Sequence, residues 1–136
     1  MRRLFLDTNI VIDLLGKRDP FYEDVVRLFT LAYHKKLQLV VSSLTFATAS
    51  YVLQKSNSSE AVRNLLANFR QLTQVAITDE RVVDDAIASP FNDFEDAIQY
   101  YTALKAKADV IITRNGKDFV FSKLPVMTAA EYLSAL

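Results

Sequence analysis

The chain has no cysteine, one histidine, two glycines and three prolines among its 136 residues. Without cysteine there is no disulfide, no thiolate metal site and no thiol nucleophile, a composition that agrees with a cytosolic home. His34 alone cannot build a histidine-cluster zinc site; it falls near a helix end in this reading, with no catalytic role. The scarcity of glycine and proline leaves little room for long flexible loops. An excess of charge of either sign is also missing, since 16 lysines and arginines balance 16 acids. That argues against a protein holding long nucleic acid mainly by bulk electrostatics. It leaves room for an enzyme with a local basic rim, or for a basic partner held by acidic groups. Long apolar runs are absent too. The stretch around Leu37 to Val41 falls far below the ~20 residues of a membrane span, and no signal-peptide apolar region precedes Asp7. These features lead us to expect a soluble, cytoplasmic chain that makes no membrane contact and forms one domain over residues 1–136.

What is present is an alternation of strand-like and helix-like segments. Leu4 to Leu6 reads as a first strand and Ile10 to Leu15 as a short helix. Phe21 to Tyr33 carries apolar residues at helical spacing. Gln38 to Ser42 is the nearly continuous apolar run of a buried parallel strand, and Thr45 to Leu53 a further helix. Asn57 to Glu60 has the spacing of a capping box, leading a helix to about Leu72. Val75 to Ile77 reads as a third strand, and Thr78 as the cap of a helix through Ala88. Asn92 to Glu95 opens a helix to about Lys107. Asp109 to Thr113 is a fourth strand and Pro125 to Met127 a fifth. Thr128 to Glu131 is a capping box before a final helix. The alternation predicts an α/β fold: a three-layer α/β/α sandwich around a central, mainly parallel sheet of four to five strands.

Four groups of polar residues fall where strands end or helices begin. They are Asp7, Thr8 and Asn9 after the first strand; Ser42, Ser43, Thr45 and Thr48 after the second; Asp93, Glu95 and Asp96 in a helix's first turn; and Thr113, Arg114, Asn115 and Asp118 after the fourth strand. In open α/β sheets these ends converge on one edge, where ligands bind. Asp93 and Asp96 are three residues apart and share a helix face. Carboxylates crowded together stay ionised at neutral pH only beside a cation, and hard oxygen ligands suit Mg²⁺ or Mn²⁺. Carboxylates with Asn and Thr, and without His or Cys, favour metal-assisted phosphodiester chemistry over acyl transfer. Plainer readings stand beside this one. An Asp closing a strand serves as a helix cap. Acids in a first turn answer the helix dipole. Asp118 also suits a surface turn, and Lys17, Arg18, Lys35 and Lys36 a solvated surface. Arg114 and Lys117 gain weight only from flanking the proposed site.

Three stretches together carry a resemblance: Phe5-Leu6-Asp7-Thr8-Asn9-Ile10-Val11-Ile12-Asp13, Asp93-Phe94-Glu95-Asp96-Ala97, and Ile111-Ile112-Thr113-Arg114-Asn115-Gly116-Lys117-Asp118-Phe119. In this order and spacing the chain resembles the PIN-domain family, in its VapC-like ribonuclease and toxin group. The resemblance implies a parallel sheet flanked by helices and an acidic pocket for Mg²⁺ or Mn²⁺. It also implies an RNA substrate, a homodimer and a role as the toxin of a toxin–antitoxin pair, with an antitoxin as partner. It places the first family acid on Asp7, supported by Thr8 or Asn9, the third on Asp96, and the fourth on Asn115 with Asp118 close behind. The second acid has no match, and Thr48 stands in its place. Asp93 is the candidate to compensate, giving a pocket of Asp7, Asp96 and Asp93 with Thr8, Asn9, Thr45, Thr113, Arg114, Asn115 and Asp118 in support. The alternative is a catalytically degenerate domain that binds RNA or a protein. An Asp93 pointing into the pocket favours the enzyme; an Asp93 that only caps its helix and faces solvent favours the binding module. Haloacid-dehalogenase-like phosphatases want an Asp where Asn9 stands, and response-regulator receivers want an acidic pair that is absent.

Overall fold

The structure is a computed structural model describing residues 1–136. Five parallel strands form one sheet: β1 Arg2–Leu6, β2 Leu37–Ser42, β3 Thr73–Ala76, β4 Val110–Ile112 and β5 Val126–Met127. Their order is β3-β2-β1-β4-β5. The chain therefore builds outward from β1 in one direction, then returns to add β4 and β5 on its other side. The strand order reverses between β1 and β4, where Leu6 pairs with Ile112, and such a switch point opens a crevice beyond the carboxyl ends of the strands.

The helices are α1 Thr8–Leu15, α2 Tyr22–Tyr33, α3 Ser43–Leu53, α4 Ser59–Arg70, α5 Glu80–Ile87, α6 Phe94–Lys105 and α7 Ala129–Ser134, with a 3-10 turn at Gly116–Phe119. Side chains alternate across each strand, so each strand feeds two cores. Leu4, Leu6, Leu39, Val41, Val110 and Ile112 face the residues of α1, α2, α3, α4 and α7 in the larger one. Phe5, Val40 and Ile111 face Tyr100 and Ala103 of α6 on the opposite side, while Val82 and Ala86 of α5 pack on Ala97 and Ile98 of α6. Full burial of each such side chain contributes about 1.5–3 kcal/mol. This is the expected three-layer α/β/α sandwich, and no helix is long and apolar enough to cross a membrane.

The structure moves three helix starts by one residue. The cap is Ser58 rather than Asn57, Asp79 rather than Thr78, and Asp93 rather than Asn92. In each case the later side chain accepts from the backbone N–H three residues on, which is the geometry a cap requires. The displaced residues bind elsewhere: Asn57 donates to the Leu53 carbonyl, and the Thr78 hydroxyl meets that of Thr102. The third strand also begins earlier than expected, because polar Thr73 and Gln74 pair with Leu39 and Val40. Ile77 lies outside it and is exposed. The reciprocal box at Thr128 and Glu131 forms as read, with both hydrogen bonds present.

Candidate active site

Asp7 follows β1 directly at the switch point and is 6% exposed. Its N–H donates to the Ile112 carbonyl at 2.9 Å, continuing the β1–β4 ladder. One carboxylate oxygen, Oδ1, accepts from the Thr8 N–H at 2.8 Å and so caps α1. The other, Oδ2, accepts from the Thr113 hydroxyl at 2.8 Å and the Asn9 amide at 3.3 Å. Asp7 is thus both a cap and a site residue. Burial pushes its pKa up, against the hydrogen bonds of Thr113, Thr8 and Gln99, and the Asp118 charge adds to the rise.

Asp96 lies in the first turn of α6, partly buried. Its pKa is pushed from 3.8 to about 7, first by burial and then by the charges of Asp7, Asp93, Asp118 and Glu95. Glu95 is pushed up as well, by burial and by Asp93 and Asp7. Asp118, exposed in the 3-10 turn, acts on both Asp7 and Asp96. The fold therefore places Asp96 within reach of the charges of Asp7 and Asp118.

Asp93 is placed differently. It is exposed, and its Oδ1 accepts from the Asp96 N–H at 3.0 Å as the cap of α6. Its charge raises the pKa of both Asp96 and Glu95. Of the two arrangements weighed for this residue, the structure has the cap.

Arg114 turns away from the acids. Its Nε donates to Asp13 Oδ2 at 2.6 Å and its Nη2 to Oδ1 at 3.2 Å, and the guanidinium lies 4.2 Å from the Phe21 ring centroid. Asp13 is fully buried. The pair locks α1 to the segment after β4. Thr113, also fully buried, donates to Asp7 and accepts from the Asn115 N–H at 3.1 Å. Asn115 is exposed, makes no side-chain cap and accepts the Asp118 N–H on its carbonyl.

On the opposite wall, Thr45 at the start of α3 shares its hydroxyl with Thr8 at 2.9 Å and with Ser42 at 3.2 Å. Gln99 of α6 bonds all three residues. α3 carries no acid. Sequence reasoning missed Asp13 and Gln99. The available signal was a polar residue inside an apolar helical stretch in both cases.

The donor set fits a hard divalent ion in kind and charge. All its ligating atoms are oxygens, and burial together with the neighbouring acids raises the Asp96 pKa to about 7. Asn9 Oδ1 is buried without a hydrogen-bond partner beside Asp7, an acceptor that a cation would satisfy. As the side chains stand, no three acids form a group that would hold an ion.

The sequence matches the family model described as PIN domain over residues 3–117. No curated protein matches it. Among solved structures, it is similar to a chain of DNA-bound VapBC from Salmonella typhimurium, at 20% identity and a TM-score of 0.72, covering 95% of this chain and 99% of that one. It is also similar to a chain of a toxin–antitoxin complex from Klebsiella pneumoniae, at 23% identity and a TM-score of 0.67, covering 93% and 97%. A third likeness is to VapC20 of Mycobacterium tuberculosis, a toxin that cleaves the sarcin–ricin loop, at 15% identity and a TM-score of 0.63, covering 79% and 86%. With this match over most of its length, the chain belongs to the PIN-domain family.

Proposed function

We propose that this protein is an endoribonuclease that hydrolyses RNA phosphodiester bonds in the pocket of Asp7, Asp96 and Asp118, with Mg²⁺ or Mn²⁺ as cofactor. The observation that carries the reading is the buried Asp7 at the switch point, coupled to an Asp96 whose pKa reaches about 7. Asp7, Asp96 and Asn9 Oδ1 would hold the ion, with Asp118 closing the site. Asp118 takes the third place in this reading, because its charge acts on both Asp7 and Asp96. When bound, such an ion lowers the pKa of water and neutralises charge on a phosphoryl oxygen. The chain's own groups do the rest. Thr8 and Thr113 fix both oxygens of Asp7.

The likeness to chains of VapBC and toxin–antitoxin complexes supports a role as the toxin of such a pair. Its antitoxin would place a basic residue against the acids. A cytoplasmic homodimer is part of the same reading. Cleavage of single-stranded RNA in Mn²⁺ tests it. Asp7→Asn should lower the rate by several orders of magnitude and relieve growth arrest on expression. Unchanged cleavage in that variant refutes the site.

Two observations favour a second reading, a degenerate domain that binds RNA or a protein without cutting. Asp93 caps its helix and faces solvent, while α3 supplies no acid. That reading expects RNA binding unaffected by EDTA and no cleavage in Mn²⁺.

A further inference from the structure

Gln99 is 1% exposed in the middle of α6, between buried Ile98 and Tyr100. A leucine would fill such a place. The chain instead has an amide whose groups are all directed at other side chains. Its Nε2 donates to Thr8 Oγ1 at 3.1 Å and to Thr45 Oγ1 at 2.9 Å. Its Oε1 accepts from the Ser42 hydroxyl at 2.6 Å. The Thr8 and Thr45 hydroxyls meet at 2.9 Å, and Ser42 Oγ accepts the Thr45 N–H at 3.2 Å. Four buried polar side chains from α1, α3, α6 and the end of β2 thus close a ring in which the hydroxyl protons are used internally.

This ring lies against the acids from two directions. Thr8 is the residue whose N–H holds Asp7 Oδ1. Gln99 stands three residues after Asp96, on the same helix face. On the α3 side the ring offers only hydroxyls that are already engaged, and α3 has no carboxylate to add.

We propose that Gln99 is a positioning residue of the metal pocket: by engaging the hydroxyls of Thr8, Thr45 and Ser42 it holds Asp7 from the α3 side, and the pocket takes a single divalent ion. This rests on the metal-pocket reading above. Groups that orient a ligand without touching the ion shift metal affinity by about 10–100-fold when removed.

Calorimetric titration of the full chain with Mn²⁺, beside thermal melting, tests the inference. The wild type should bind one ion. Gln99→Met should bind about tenfold more weakly or worse. Gln99→Glu should melt lower without metal yet bind Mn²⁺ more tightly than wild type, because it adds a carboxylate beside Thr8 on the helix face that Asp96 shares. A residue that merely fills the core would give no such opposite response. Wild-type affinity in both variants overturns the proposal, as does a Gln99→Glu chain that fails to fold even with Mn²⁺, or two ions in the wild type. A wild type that binds no Mn²⁺ overturns the metal-pocket reading and this inference with it. If Gln99→Met does not fold, the opposite response of Gln99→Glu still decides the matter.

Discussion

Asp96 shows how the site's charge shapes the whole chain's stability. Its carboxyl rises from 3.8 to about 7 on folding, and those of Asp7 and Glu95 rise too. A group whose folded pKa exceeds its unfolded value binds more protons when folded. Its contribution is fully present below the unfolded pKa and is lost as the pH climbs through the folded one. The ion-free protein should therefore melt lower as the pH rises from about 4 past about 7, and Mn²⁺ should restore it by binding the folded state alone. Melting curves in EDTA at both ends of that range check this; a flat profile would mean the acids are not crowded. Asp13 is a buried carboxylate paired with the Arg114 guanidinium. Asp13→Asn leaves the guanidinium without its carboxylate and should cost about 3 kcal/mol in urea unfolding, the lower end for a broken buried pair because Arg114 keeps some exposure. The two acids look alike in the sequence. They differ because their partners come from 106 and 101 residues away, Thr113 for Asp7 and Arg114 for Asp13.

Among the elements, the helix ends show a preference that the core does not dictate. Lys17, Lys35 and Lys107 follow α1, α2 and α6 at φ of 50°, 59° and 58°, the left-handed region where glycine is favoured. The closing hydrogen bonds form nonetheless: the Ala108 N–H reaches the Ala103 carbonyl at 3.1 Å, and the Lys36 N–H reaches that of Leu31 at 2.9 Å. Lysine's charge at a helix C-terminus offsets part of the backbone strain. Lys107→Gly should then stabilise the chain by roughly 0.5 kcal/mol in chemical unfolding, and a loss of stability would show that the charge outweighs the strain. Element positions were legible because hydrophobic period marks them. Cap positions were less so: Asn57 and Ser58, or Thr78 and Asp79, offer adjacent side chains of equal capping chemistry. Only the neighbour that captures the first one, Leu53 for Asn57 and Thr102 for Thr78, decides between them.

For the molecule as a whole, the order β3-β2-β1-β4-β5 does most to create the site. It sets the ends of β1 and β4 side by side, and α6 brings its first turn over them. Asp7, Asp96 and Thr113 were legible because each ends a strand or begins a helix, where the fold class fixes their common edge. Gln99 was not, since its use depends on three partners gathered from other elements. For Asp93 the spacing from Asp96 suits a shared pocket face and a cap equally well, and only the structure shows that the cap forms. The proposed nuclease needs a divalent ion at this edge. Crystals saturated with Mn²⁺ and an anomalous difference map test it most directly. We predict one peak between the Asp7 and Asp96 carboxylates that is lost in Asp7→Asn; a map without a peak there would contradict the account.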